Sequence, residues 1–174
     1  MKLLSNIFLI CLNTLYKYSL NARRGLPKNL FYFISKLTPL INVDLIIKNN
    51  KGMLLLTWRE DKFYGPGWHF PGGIIRFKER MSNRINFVAQ NELGMEVNYI
   101  DNPILINELF AKERDIRGHF ISLAILCKPK SQPNPILQYK SGMIKSGQWK
   151  WHSKCPKKLI KQQLVYKNLF KKHD

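Results

Sequence analysis

The segment spanning residues 65–95 constrains the fold and chemistry of this chain more than any other stretch. It reads GPGWHFPGGIIRFKERMSNRINFVAQNELGM. Two adjacent glycines, Gly72 and Gly73, let the backbone turn tightly and come close to a ligand. The apolar residues that follow recur at helical spacing and predict a helix over residues 79–93. A carboxylate, Glu92, stands near the end of that helix.

The oxygen donors of this segment suit a divalent metal ion. A carbonyl from the glycine turn and the Glu92 carboxylate are hard ligands of the kind that Mg²⁺ prefers. Mg²⁺ is commonly held by one or two carboxylates, with waters and substrate phosphates completing its coordination. The sequence therefore predicts a magnesium site built on Glu92. The earlier carboxylate, Glu79, stands where the helix begins, and we expect it to be structural and to contact Arg80 or Arg84.

The same segment resembles a Nudix box in which several positions are replaced. The family pattern is glycine, five residues, glutamate, seven residues, and then Arg-Glu-apolar-any-Glu-Glu-any-Gly-apolar. The residues that match it are Gly73, Glu79, Ala89, Glu92, Gly94 and Met95. The helix positions of the arginine and of two glutamates hold Phe87, Val88 and Asn91 instead.

Over most of residues 29–152 the chain is most similar to one branch of that family, the GDP-mannose mannosyl hydrolases. The similarity is carried by Trp68-His69-Phe70-Pro71-Gly72-Gly73, Asn91-Glu92-Leu93-Gly94, His119-Phe120 and Trp149-Lys150-Trp151. It implies Mg²⁺-dependent hydrolysis of a nucleoside diphosphate sugar such as GDP-mannose. In that branch water displaces GDP at the anomeric carbon of the sugar with inversion. The resemblance also implies a homodimer.

The resemblance implies roles for particular residues. Gly73, through its backbone carbonyl, and Glu92 would be the metal ligands. Arg59 falls on an arginine that steadies the departing GDP, and charge-assisted contacts of this kind suit pyrophosphate oxygens. Asp44 falls on a carboxylate at the nucleotide site.

For Lys145, His69, His119 and Trp68, both a functional and a structural role remain open. The branch has a Gln-His pair, supplying a metal ligand and the general base, where this chain has Lys145 and Ser146. A protonated lysine cannot coordinate a metal, but Lys145 can bind a phosphate electrostatically. His69 and His119 are candidates to activate water, or else structural histidines. Trp68 either stacks on a base or sugar or belongs to the core.

The order of predicted elements gives the fold class. The order is strands, helix, strands, helix. The strands are predicted at residues 41–47, 53–58, 104–110, 119–127 and 148–152, and helices are predicted at residues 29–37 and 79–93. Pro156 is expected to open a basic closing helix. This order predicts an α+β domain over residues 29–174, and the resemblance makes it a Nudix fold, an α/β/α sandwich around a mixed sheet.

An apolar helical extension is predicted before that domain, over residues 1–28. A bilayer span needs ~20 predominantly apolar residues, and the polar Asn6, Asn13 and Lys17 interrupt this one. Two placements remain open. The helix either lies at a membrane interface, with the arginines of residues 23–24 meeting lipid phosphates, or packs on the domain or a dimer partner.

Charge favours a phosphate-bearing ligand. The chain has 174 residues and a formal charge of +18, from 29 Lys and Arg against 11 Asp and Glu. Such a balance suits nucleotides, nucleic acid or anionic lipid, and no nucleic-acid-binding motif is present. Cys11, Cys127 and Cys155 share no close spacing and are typical of reduced thiols in a cytoplasmic protein, peripheral on the inner membrane face if the extension binds lipid.

Two functional hypotheses follow. The first is a Mg²⁺-dependent Nudix hydrolase acting on a GDP-sugar. The second is a catalytically impaired Nudix-fold protein that binds a nucleotide sugar or a partner at a membrane surface in polysaccharide biosynthesis. The replaced positions of the box favour the second, and the retained Glu92 favours the first.

Overall fold

The computed structural model describes residues 2–20, 25–61 and 63–171. Three α-helices are present in this part of the chain: α1 (Lys2–Leu20), α2 (Lys28–Leu37) and α3 (Met81–Leu93). The arginines of residues 23–24, which were predicted to meet lipid phosphates, lie outside the described residues.

Eight strands form two sheets among the described residues. They are β1 (Leu40–Ile47), β2 (Leu54–Arg59), β3 (Gly67–His69), β4 (Gly72–Ile74), β5 (Val97–Tyr99), β6 (Leu105–Phe110), β7 (His119–Pro129) and β8 (Trp149–His152). One sheet has the order β4-β1-β7-β5 with β6 also paired to β7, and the other has the order β3-β2-β8. Strands β1 and β7 are parallel and the other pairs are antiparallel, so the predicted α+β fold with a mixed sheet is confirmed.

Strand β1 contributes to two apolar cores on opposite faces. Val43, Leu45 and Ile47 alternate along it and join helix α3 in the first core. Ile46 points to the second core, where it meets Leu159 and the fully buried Tyr166 near the end of the described chain. This alternation is expected of a strand whose successive side chains face opposite sides of the sheet. Both faces of the sheet are therefore covered.

The predicted start of the closing helix at Pro156 is wrong. Residues 158–160 run beside β3 instead, where the Trp68 N–H donates to the Lys158 carbonyl at 2.7 Å and the Ile160 N–H donates to the Trp68 carbonyl at 2.9 Å. Because these residues are held as an extended segment, the helix begins only at Lys161. It is a 3₁₀ helix, Lys161–Phe170, called here the C-terminal 3₁₀ helix.

Helix α1 exposes its apolar side chains. Five of those described are between 47% and 65% accessible to solvent: Leu9, Ile10, Leu12, Leu15 and Tyr16. Within the described parts of the chain, no helix has the length and apolarity that crossing a membrane requires. Helix α1 therefore presents apolar side chains to solvent.

Candidate active site

A cavity of about 500 Å³ contains several of the residues singled out by the sequence. Strand β1 contributes Asp44, strand β2 contributes Arg59, strand β4 contributes Gly72 and Gly73, and helix α3 contributes Glu92. Pockets that hold small ligands have volumes of roughly 300–1,000 Å³. The cavity is therefore large enough for a nucleotide-sized ligand.

The glycine pair is required by close packing rather than by a tight turn. Both glycines lie in extended strand β4 and neither has a positive φ, so the predicted turn is wrong. A Cβ on Gly72 would lie 2.6 Å from the Asp44 Oδ1, and a Cβ on Gly73 would lie 2.8 Å from the Val88 Cγ2. Glycine at these positions lets β4 fit between Asp44 and helix α3.

Glu92 lies beside this glycine strand and is only partly accessible to solvent. Burial raises its pKa to about 7, and the neighbouring Asp44 carboxylate contributes to the rise. A hydrogen bond from the Gly72 backbone and the positive charge of Arg59 oppose it. A carboxylate held near neutrality in this way is stabilised when a cation binds beside it.

Asp44 is the centre of a buried hydrogen-bond network. Its Oδ1 accepts from the Asn42 and Gln163 side-chain amides, both at 3.1 Å. Its Oδ2 accepts from the Ser122 hydroxyl at 2.5 Å and from the Tyr166 hydroxyl at 2.7 Å. Burial nevertheless raises the pKa of Asp44. These four donors use both carboxylate oxygens, so Asp44 fastens the C-terminal 3₁₀ helix to strand β1 at the wall of the cavity.

Glu79 makes the structural contact that the sequence predicted. Its Oε2 accepts from the Arg84 Nη2 at 2.8 Å and Nε at 3.0 Å, and from the Arg76 backbone N–H at 2.8 Å. These contacts lower the pKa of Glu79 against the opposing effect of burial. Arg84 is itself buried. This contact fastens the start of α3 to the segment that leaves β4.

The histidine His69 borders the cavity but has both ring nitrogens engaged. Its Nδ1 lies 2.8 Å from the Phe70 carbonyl and must donate to it, which leaves Nε2 to accept from the Thr57 hydroxyl at 2.9 Å. Burial lowers the pKa of His69 to about 4. A neutral imidazole with no free lone pair is poorly suited to remove a proton from water.

Three other residues singled out by the sequence do not border the cavity. His119 contacts Glu108 through its Nε2 at 2.9 Å. Trp68 is buried, with its ring centroid 5.4 Å from that of Trp58. Lys145 is exposed, although its neighbours at residues 146–147 line the cavity.

Sequence reasoning missed several residues that line the cavity. Arg117 and Tyr64 come from the loops after β6 and β2, and Gln162 and Gln163 come from the C-terminal 3₁₀ helix. No spacing in the sequence relates these segments to the glycine pair. These residues are brought to the cavity only by the folding of the chain.

The donors at the cavity fit a single magnesium ion. No group of three or more His, Cys, Asp or Glu side chains within the described ranges is arranged to hold a metal. Glu92 lines the cavity and accepts a hydrogen bond from the Gly72 backbone, and burial raises the pKa of its carboxylate. Mg²⁺ commonly takes one or two protein carboxylates and completes its shell with waters and phosphates. Glu92 meets that requirement, whereas a site made of several carboxylates is not formed.

Comparison with solved structures defines the class of fold. The MutT protein of Methanosarcina mazei Go1 matches with a TM-score of 0.55 at 16% identity, over 76% of this chain and 91% of that one. A Nudix hydrolase of Nitrosomonas europaea matches with a TM-score of 0.51 at 13% identity, over 66% of this chain and 72% of that one. The chain therefore has the Nudix fold, as its sequence predicted.

A curated relative adds a weaker sequence similarity. The low-salt glycan biosynthesis protein Agl8 of Haloferax volcanii is 32% identical over 90 residues, which are 49% of this chain and 56% of that protein. The chain spans about half the length of this relative. No protein-family model matches the chain.

Proposed function

We propose that this protein hydrolyses a nucleoside diphosphate sugar, of which GDP-mannose is the model substrate, with the help of Mg²⁺. The observation that supports this most directly is that Glu92 and Arg59 line one cavity beside the Gly72-Gly73 strand. An acidic residue suits the metal and a guanidinium suits diphosphate oxygens. The Nudix fold and the name of the Agl8 relative, a glycan biosynthesis protein, are consistent with a nucleotide-sugar substrate.

Each residue has a defined task in this proposal. Glu92 and the Gly73 carbonyl would hold the metal, which when bound would offset negative charge on the diphosphate. Arg59 donates to the leaving diphosphate. A water oxygen bonds to the anomeric carbon, the bond from that carbon to the phosphate oxygen breaks, and GDP departs with the electron pair. The attacking water gives its proton to the surrounding solvent. Stabilising the charge that develops on the leaving group accelerates such a step.

The test is an assay with GDP-mannose and Mg²⁺ that resolves the products. Free mannose with GDP marks cleavage at the anomeric carbon, and GMP with mannose phosphate marks cleavage within the diphosphate. We expect activity to be lost in Glu92→Gln. The matched control is Glu96→Gln, because Glu96 is an exposed carboxylate paired with Lys130 at 2.7 Å outside the cavity. Equal activity in the two variants would contradict the proposal.

A second candidate function is nucleotide-sugar binding without turnover. The observation that favours it is the state of the two histidines, since His69 is tied to Thr57 and Phe70, and His119 lies with Glu108 outside the cavity. In that case GDP-mannose binds in calorimetry, and no product forms at high protein concentration over a long incubation. Product formation abolished by Glu92→Gln would reject this candidate.

We further propose that helix α1 places the domain on an anionic membrane surface. Its exposed leucines and isoleucine, with Lys17 toward its end, are the composition of a helix that lies in the interface. Vesicles containing phosphatidylglycerol should sediment the full chain but not a chain lacking residues 1–20, and neutral vesicles should sediment neither. If the full chain does not bind vesicles, and is a dimer that becomes a monomer when residues 1–20 are removed, the apolar surface of α1 would instead be a homodimer interface.

A further inference from the structure

The guanidinium of Arg117 is held in one position at the wall of the cavity. Its Cζ lies 5.0 Å from the centroid of the Phe63 ring and 5.9 Å from that of Phe31. The Arg117 backbone N–H donates to the Ser35 hydroxyl at 3.2 Å, and its carbonyl accepts from the Tyr64 hydroxyl at 3.5 Å. Its backbone has a φ of 54°, in the left-handed region that non-glycine residues seldom adopt. Contacts from helix α2 and the loop after β2 therefore hold both the backbone and the side chain of Arg117.

Two more guanidinium groups lie against the same tyrosine. The Tyr64 ring centroid is 4.6 Å from the Cζ of Arg59, 4.3 Å from that of Arg114 and 5.8 Å from that of Arg117. These three arginines are called here the arginine cluster. Its members come from strand β2 and from the 111–118 loop, so the cluster forms only when the loops after β2 and β6 meet.

The arginine cluster has more positive charges than carboxylates paired with them. Arg59 is paired with Asp61, and the Arg114 Nε lies 3.8 Å from the exposed Glu113. No carboxylate among the described residues lies within ion-pair distance of Arg117. The buried Nε of Arg117 and Nη1 of Arg114 also have no hydrogen-bond partner in the described part of the chain.

A partly buried cation without an anionic partner is unfavourable. Burial lowers the pKa of Arg117 and the charge of Arg59 acts in the same direction, while Tyr64 and Asp61 oppose the shift without reversing it. Cation–π contacts offset only part of this cost. An arriving anion would gain guanidinium donors that are already oriented, which is the arrangement that favours tight phosphate binding.

The position of Arg59 relates the arginine cluster to the metal site. The charge of Arg59 acts on Glu92, and it also acts on Arg117. Arg59, Glu92 and Arg117 all line the cavity, and the guanidinium groups of Arg59 and Arg117 contact the same Tyr64 ring. A diphosphate in the cavity could therefore place one phosphate beside Glu92 and Arg59 and the other beside Arg117.

We propose that Arg117 binds the second phosphate of a diphosphate ligand, so that the cavity distinguishes diphosphates from monophosphates. Arg114 acts by holding Tyr64, and through it the 59–66 loop, in place. This inference rests on the proposed nucleoside diphosphate ligand. It assigns a binding residue outside the segment of residues 65–95.

The test compares the binding of GDP, GMP and guanosine by calorimetry, with Mg²⁺ and no sugar. Wild type should prefer GDP to GMP, and Arg117→Gln should lose about ten- to hundredfold of its affinity for GDP with little change for GMP. Arg117→Lys should recover part of the loss. The matched control is Lys112→Ala, because Lys112 is an exposed cation in the same loop and its removal changes the net charge equally.

The outcomes separate this inference from the proposed function. Undiminished GDP binding by Arg117→Gln would overturn the inference, whether or not wild type hydrolyses GDP-mannose. Selective loss of GDP binding in a protein that never forms product would support the inference and reject the enzymatic function. Wild type that binds neither nucleotide would overturn the inference. Gln and Lys variants keep a long side chain at the same backbone conformation, and matching thermal unfolding midpoints would verify that both fold.

Discussion

Arg84 contacts Glu79 from one helical turn before the position that a Nudix box assigns to its arginine. That assigned position holds Phe87, whose ring centroid lies 4.9 Å from the Arg84 Cζ. Glu79 therefore takes its arginine partner from one turn of α3 before the position at which the resemblance to a Nudix box places an arginine.

Arg84→Met should destabilise the fold by about 3 kcal/mol, because it leaves the Glu79 carboxylate without its guanidinium partner. Adding Phe87→Arg in the same chain should restore at least part of the lost stability by supplying the partner from the next turn. Urea unfolding of the two variants measures both effects. If Phe87→Arg alone stabilises the protein as much as it does in the Arg84→Met background, the pairing explanation fails.

Glu92 should make stability depend on pH. Its pKa is about 7 in the folded protein against an ordinary 4.5, so the folded state holds the proton more tightly than the unfolded state. Its contribution is complete below pH 4.5 and is lost as pH rises through about 7. The full shift corresponds to about 3 kcal/mol, reduced by solvent around this partly exposed group.

The measurement is the free energy of unfolding at pH 5 and pH 8 without metal, in wild type and Glu92→Gln. Wild type should lose stability over this interval by about 2 kcal/mol more than the variant. Glu96→Gln serves as the control, since it removes a carboxylate on the surface. Identical pH dependence in wild type and Glu92→Gln would show that Glu92 titrates normally.

His69 should titrate far below neutral pH. Its pKa is lowered to about 4 from 6.5, so the folded state disfavours the charged form. The associated stability is complete above pH 6.5 and is lost as pH falls through about 4. The imidazole resonances of His69 should stay constant between pH 8 and 5, whereas a midpoint near pH 6.5 would refute the buried, doubly bonded arrangement.

Gly72→Ala should destabilise the protein more than Gly73→Ala. The new Cβ at Gly72 meets the Val43 carbonyl at 2.8 Å and Asp44, which neighbouring strands hold in place. The new Cβ at Gly73 meets the Val88 Cγ2 and the Arg84 Cδ, which are side-chain atoms that can shift. Crowding of this kind costs about 1–3 kcal/mol. Thermal unfolding of both variants tests the order, and a reversed order would contradict it.

The sequence was most informative where the spacing of residues along one strand or helix determines their relative positions. The glycine pair, Glu79 and Glu92 are linked by one strand and one helix, so their relative positions follow from helical and strand geometry. The contact of Glu79 with Arg84 could be predicted for the same reason, since Glu79 lies just before α3 and Arg84 lies in its first turn.

The parts that could not be predicted depend on contacts between distant segments. Arg117 reaches the cavity because the loops after β2 and β6 meet at Tyr64. Gln163 and Tyr166 reach Asp44 across more than a hundred residues of chain. The reason for the glycine pair could not be predicted either, because its close packing against Asp44 and Val88 depends on the position of α3 in the folded chain.

The hydrogen bonds of Asp44 to Gln163 and Tyr166 have a consequence for biosynthesis. Strand β1 leaves the ribosome long before residues 163–166 are translated. The Asp44 carboxylate therefore lacks two of its four hydrogen-bond donors, Gln163 and Tyr166, until those residues are made. Until they arrive, one wall of the cavity is missing and a carboxylate destined for the interior is still open to water. The wall of the cavity at Asp44 is therefore completed only after these residues have emerged.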